Sequence, residues 1–418
     1  MRPLPPNATI AVIGAGIVGT SVAFALMERG YRVTLFDRAE PGRTGPSFGN
    51  AGHVVGSGIF PLAEPGIGLT GLRMLMDPEG PLKIPASYLG KVTPWLWRFW
   101  RSSYGEAYER GIRALIGMNR GAVDDAEALW TRAGIGHMLR RAPALYLYES
   151  EASWMSVRSH WKRRIDEGFA SHFVGEAAIR DLEPNLAPVF ARGVISDDWG
   201  IVTDPFEVVT GLFRAGQQRG IAFREAAVTA LVPEGEGVAV IIDGEHQSFD
   251  AALVAAGVWS RPLAAALDEK LPVEAECGYN ITFPGRSGLI NRPLVFGDRG
   301  VVATPLSPGL RVGGWTELGG TELPPNPARW RKMAEISSAV LPELTGADGA
   351  QWMGHRPSMP DSVPVISRSG RHPAVFYAVG HGHYGLSQSA KTAKMIAELV
   401  AEATDERYSA YSIGRFAD

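Results

Sequence analysis

Residues Ile10 to Asp37 read IAVIGAGIVGTSVAFALMERGYRVTLFD, and the fold turns on this stretch. Ile10 to Ile13 is an apolar run of the kind that forms a parallel strand buried on both faces. It stops in Gly14-Ala15-Gly16-Ile17-Val18-Gly19, a G-x-G-x-x-G. A helix is predicted over about Val18 to Arg29, ending near Gly30, which suits a helix C-cap. A second strand, Arg32 to Phe36, runs into Asp37. In such a unit Gly14 allows the tight turn, Gly16 lets the backbone approach a pyrophosphate, and Gly19 lets helix and strand pack closely. The helix start, with Ile17 and Val18 in its first turn, offers free N–H groups and a positive dipole end to phosphates. Asp37 lies 18 residues past Gly19 at a strand end, placed to accept a hydrogen bond from a ribose hydroxyl, with Arg38 beside it. A lone G-x-G-x-x-G is a weak signal. One framed by strand, helix, strand and acid points to dinucleotide binding, but does not separate a nicotinamide from a flavin dinucleotide.

The rest of the chain narrows this. At 418 residues it is long enough for two lobes and a large core. Its 45% hydrophobic and 20% charged content is ordinary for a globular protein. The net charge of −3 and the lack of a basic segment argue against a nucleic-acid partner. A single cysteine, Cys277, excludes an intrachain disulfide and a cysteine-rich metal site. The N-terminus lacks a signal-peptide pattern. Ala8 to Met27 is apolar enough to mimic a membrane span, but its glycines and βαβ pattern read better as fold core. The expectation is a cytoplasmic protein, with a peripheral contact on the inner membrane face held open.

Beyond Asp37, residues 44–58 run through small residues and glycines, including Ser47, Asn50, Ala51, Gly52 and His53, as in a loop lying along a cofactor. Pro61 to Leu89 reads as irregular. Pro94 to Ser103, PWLWRFWRSS, suggests an amphipathic helix whose aromatics pack in a second lobe, or alternatively face a membrane or a partner subunit. Gly105 to Ala133 and Glu151 to Phe169 have helical period. Asp204-Pro205 starts a helix as N-cap and first residue. Val228 to Val232 reads as a strand. Val238 to Ile242 and His246 to Phe249 read as a hairpin turning at Asp243-Gly244. A buried strand leads into Ala255-Ala256-Gly257-Val258-Trp259-Ser260. Glu274 to Phe283, Val301 to Pro305 and Leu310 to Gly314 read as strands of a second sheet, Asn326 to Leu341 as a helix, and Trp352 to Ile366 as a proline-rich connection. Last come a strand, the glycine loop Gly380 to Ser387 and a long helix.

Taken together these segments resemble the D-amino acid oxidase superfamily of flavoproteins, most of all the bacterial D-amino acid dehydrogenases. The likeness runs nearly end to end. It rests on the N-terminal βαβ unit, on Ser47-Phe48-Gly49-Asn50-Ala51-Gly52, and on Asp204-Pro205 with the strand at Val228. It rests equally on Ala255 to Ser260, on Gly354-His355-Arg356-Pro357 with Pro360-Asp361, and on Gly380-His381-Gly382-His383-Tyr384-Gly385-Leu386-Ser387. The resemblance implies an α/β fold with a Rossmann-like FAD-binding domain of the glutathione-reductase type. That domain would be assembled from residues 1–85, 195–265 and 353–418. A substrate domain on a mostly antiparallel sheet would take 86–194 and 266–352.

The resemblance also implies site residues. Gly14, Gly16, Gly19 and Asp37 would hold the ADP half of FAD. Ser47 to Gly52, Val228, Ala256, Gly257 and Trp259 would line it further along. Gly382, His383, Gly385, Leu386 and Ser387 would meet the flavin pyrimidine edge. Arg356 would pair with a substrate carboxylate, with Tyr384 and His53 beside it. His381 and His383 form H-x-H, yet in a glycine loop beside a flavin no metal is expected. The sarcosine oxidase branch tethers its flavin through a cysteine at the position of Gly354, so FAD here should be noncovalent. Ala303-Thr304-Pro305-Leu306 lacks the tyrosine or arginine that amino acid oxidases often place there. The implied activity is oxidative deamination of a D-amino acid or related amine by hydride transfer to flavin N5, with a quinone or respiratory carrier as acceptor. Oxidation of a secondary amine, such as an N-substituted amino acid, opine or cyclic imino acid, is an alternative. An FAD-bearing electron-relay subunit is another. A nicotinamide dehydrogenase would leave the C-terminal segments without a role.

Overall fold

The computed structural model describes residues 3–77, 80–402 and 406–417. Two sheets organise it. The first has six strands, in the order Ala222–Glu225, Arg32–Asp37, Thr9–Ile13, Ala251–Val254, Val375–Val379 and Val365–Arg368. All neighbours are parallel except the last pair. Thr9–Ile13 (β1) lies between Arg32–Asp37 (β2) and Ala251–Val254, so its apolar residues meet neighbours on both edges and both faces. The helix Ile17–Glu28 (α1) follows β1 and packs with the C-terminal helix Gly385–Ala401 in one continuous core. A three-stranded sheet, residues 228–249, covers the other face. Its hairpin turns at Asp243 and Gly244 with φ of 51° and 84°, as a two-residue primed turn requires.

The second sheet has nine strands and is mostly antiparallel. Its strand Glu274–Phe283, next to the edge, is buried along all ten residues. This is where the sequence reading needs its main correction. Much of the stretch Trp352 to Ile366 is not a connection: Ala350–Ser358 is a strand paired residue for residue with Glu274–Phe283. Local propensity was misleading because QWMGHRPS neither alternates nor lacks breakers. The long buried partner supplies the pairing that overrides it. The domain boundary expected between residues 352 and 353 falls inside this strand.

Two further readings are corrected. Pro61 to Leu89 contains a helix, Ile67–Met76 (α2), which Gly68 and Gly71 disguise. Residues 105–133 form two helices, Gly105–Asn119 and Ala122–Arg132, broken at Gly121 with φ 73°. The aromatic stretch is indeed helical and longer than its motif, Ala86–Ser102 (α3), with Pro94 inside it. Trp95 is buried and Trp97 and Trp100 are exposed. Among the described residues no helix is long and apolar enough to cross a membrane.

Candidate cofactor and substrate site

A cavity of about 1280 Å³ runs between the two sheets. At one end it is lined by the glycine turn after β1. Gly14 has φ 108°, and a Cβ there would strike the carbonyl of Ala255. A Cβ on Gly19 would run into the carbonyl of Gly14. Positions 14 and 19 therefore admit no side chain, and Gly14, Gly16, Ile17 and Val18 line the cavity. Ser47 Oγ accepts from the Ile17 N–H at 3.1 Å, closing the start of α1 with a residue from the next loop. Asp37 lines the cavity and accepts from the Ala15 N–H at 2.7 Å and the Ala39 N–H at 3.3 Å. Burial lifts its carboxyl above the usual range, against the lowering effect of those two bonds. Arg38 lies 3.8 Å over the ring of Trp259, and both line the cavity with Val228, Ala256 and Gly257.

The loop after Ser47 is fastened from the second sheet. Asn280 Nδ2 donates to the Gly49 carbonyl at 2.7 Å, and Arg311 Nη1 to the Asn50 carbonyl at 2.6 Å. The Trp352 ring lies where a Cβ on Gly49 or Gly354 would sit. Asn50, Ala51 and His53 line the cavity. So do Gly382, His383, Tyr384, Gly385 and Leu386, at the start of the C-terminal helix. Three residues expected at the cofactor do not line it. Gly19 is spent on packing against Gly14, and Gly52 faces Leu306. Ser387 Oγ is buried, accepting from the Val55 N–H at 2.9 Å and holding the two loops together. His53 is buried, 2.5 Å from Thr304 Oγ1 through Nε2 and edge-on to Trp199. Burial pushes its pKa down to about 3, so it is neutral at ordinary pH.

Arg356 lines the cavity, but it does not stand alone. Its Nη1 lies 3.1 Å from Glu276 Oε1 and 3.4 Å from the Trp315 carbonyl. Glu276 is buried and takes three more donors: His383 Nε2 at 2.6 Å, Thr316 Oγ1 at 2.7 Å and Ser358 Oγ at 2.7 Å. Burial alone would raise its carboxyl, but the His383 and Arg356 charges and the hydrogen bonds outweigh that and hold it well below the usual range. Nε and Nη2 of Arg356 have no hydrogen-bond partner among the described residues, which leaves one edge of the guanidinium fork open. Sequence reasoning missed Glu276. Its signal was an acid in a fully buried strand that also carries Glu274, Asn280 and Thr282. Cys277, next to it, is not among the cavity-lining residues, and burial pushes its thiol up to about 12.

The model of the family named DAO, FAD dependent oxidoreductase, matches residues 9–399. The chain belongs to this family. It is 33% identical to a D-amino-acid oxidase of Bradyrhizobium diazoefficiens over 405 residues, covering 95% of this chain and 96% of that protein. It is 29% identical to D-amino acid dehydrogenase 3 of Mesorhizobium japonicum over 94% of this chain and 97% of that one. The fold is shared with glycine oxidase from Geobacillus kaustophilus, at a TM-score of 0.75 and 20% identity, covering 98% and 99% of the two chains. The residues fit FAD: a glycine turn at a helix start, with no room for a Cβ at Gly14, takes a pyrophosphate, and a second helix start lines the far part of the same cavity.

Proposed function

We propose that this FAD-dependent oxidoreductase deaminates a D-amino acid or a related amine, with Arg356 fixing the carboxylate. The observation that carries this reading is that Arg356 lines the cofactor cavity with Nε and Nη2 free of hydrogen-bond partners among the described residues. A guanidinium edge matches a carboxylate bidentately. The names of the relatives that cover the whole chain support the same substrate class.

Gly14, Gly16 and the start of α1 would hold the pyrophosphate of FAD, Asp37 its ribose, and Gly382 to Leu386 its ring system, without a covalent tether. FAD, when bound, supplies the hydride acceptor. The chain's own residues bind and orient. Arg356 anchors the carboxylate, Glu276 keeps the guanidinium from swinging, and Tyr384 and His53 wall the site. Water exclusion by these buried side chains strengthens the Arg356–carboxylate contact. The substrate amine must be neutral to react, and a site poor in free anions disfavours its cation. Glu276 is filled with donors and His53 is neutral and bonded to Thr304, so no general base is assigned. The imino acid formed hydrolyses to a 2-oxo acid and ammonia.

Electron transfer to a quinone or respiratory carrier, with a peripheral contact through α3, belongs to the same reading. It is supported by the exposed Trp97, stacked at 5.0 Å on Trp100. The test of the whole is product analysis with Arg356→Ala beside it. A D-amino acid should yield equimolar 2-oxo acid and ammonia, and the variant should keep FAD while KM rises steeply. An unchanged KM removes Arg356 from the carboxylate role. Turnover of N-substituted amino acids alone would favour the secondary-amine reading.

A further inference from the structure

The cavity of about 1280 Å³ that would take FAD has a lining that continues past Arg356. Glu276 is opposite Leu318 across the sheet, and Thr316 is opposite Leu82. Leu318 in turn packs with Trp95 and Phe99 of α3. From there the lining passes to α2, including Gly71 and Leu75. The charged side chains of the lining are confined to the cofactor end and to the Arg356 cluster, and α2 and α3 contribute only apolar ones and glycines. Trp95 Nε1 is buried with no acceptor among the described residues.

We infer that this apolar arm between α2 and α3 is the side-chain subsite, and that the substrate is an amino acid with a large apolar side chain. The inference rests on the reading of Arg356 as the carboxylate partner. A ligand anchored there and extending past Thr316 and Leu318 places its charge at the cluster and its hydrocarbon in the arm. A small polar substrate would leave the arm wetted and its apolar lining unused.

The test is calorimetric titration of the FAD-loaded protein with straight-chain carboxylates from acetate to octanoate, and with the matching alcohols. Each added methylene should tighten binding roughly fourfold. Affinity independent of chain length overturns the arm. Carboxylates no tighter than alcohols, with both gaining with length, would remove Arg356 and leave the arm standing. Gly71→Phe is the structural check. Gly71 lines the arm with no atom within 4 Å of a Cβ, and it sits in a helix where glycine is unfavourable, so the fold should persist. The variant should end the length gain at a shorter chain. It should also lower turnover of D-phenylalanine relative to D-alanine by roughly tenfold or more. An unchanged length series in the variant overturns the proposal.

Discussion

Arg356 and Glu276 face each other across two paired strands, with Nη1 of one 3.1 Å from Oε1 of the other. The pair is internally compensated. A substrate carboxylate entering it would bring a second negative charge, and His383 is hydrogen-bonded to the same Glu276 oxygen. The guanidinium is therefore held in place by the group that also weakens its attraction for an anion.

Glu276→Gln separates these effects. A glutamine keeps the shape but cannot accept from all four donors, and it leaves a buried guanidinium without its anion. Stability should fall by about 2–4 kcal/mol in denaturant unfolding. For folded enzyme, KM for a carboxylate substrate should fall, because the competing charge is gone. A KM that rises while FAD stays bound would show that Glu276 acts by orientation alone.

Gly278→Ala tests position without touching charge. A Cβ at residue 278 would occupy the space of the Arg356 guanidinium. That group is the free end of a flexible side chain, so the fold should survive while the guanidinium moves. KM for carboxylate substrates should rise tenfold or more, roughly the effect of misplacing one anchoring contact. FAD content should stay close to wild type, while the melting temperature should fall, because the displaced guanidinium leaves the buried Glu276 carboxylate less well paired. Unchanged KM would place the carboxylate elsewhere.

Acid should destabilise the protein in two stages. Burial holds His53 and His381 at about 3, below the ordinary 6.5, so both stay neutral in the fold while the unfolded chain protonates them. Their contribution is complete above pH 6.5 and is lost as pH falls toward 3, at up to about 1.4 kcal/mol per pH unit for each. Glu276 adds a second term. Its pKa is depressed, so its stabilisation is present above 4.5 and is lost below that value. Melting temperature should therefore drop from pH 6.5 downward and more steeply below 4.5. His381→Asn should flatten the first stage. A melting temperature constant from pH 7 to 4 would contradict both assignments.

Much of the cofactor end was legible because its chemistry is local. The turn at Gly14 and Gly19, the helix after it and Asp37 lie within one short run, and each residue type is dictated by backbone geometry. The Asp204 cap, which accepts from the Phe206 N–H at 2.9 Å, was legible for the same reason. The substrate end was not. Arg356 could be singled out by resemblance, but its partner is 80 residues away in sequence and meets it only through strand register. The fastening of Gly49 by Asn280 and the meeting of His53 with Thr304 are likewise products of sheet packing. The helix α2 was hidden by its own glycines, and the strand bearing Arg356 by Gly354 and Pro357.

The central claim is that this cavity binds an amino acid by its carboxylate and oxidises it. The most direct measurement is the visible spectrum of the FAD-loaded protein under anaerobic conditions as D- and L-amino acids, prolines and N-methyl amino acids are added one at a time. The account predicts loss of the oxidised-flavin absorbance with D-amino acids, fastest for those with large apolar side chains. A flavin that no member of the panel bleaches, yet dithionite reduces, would contradict it.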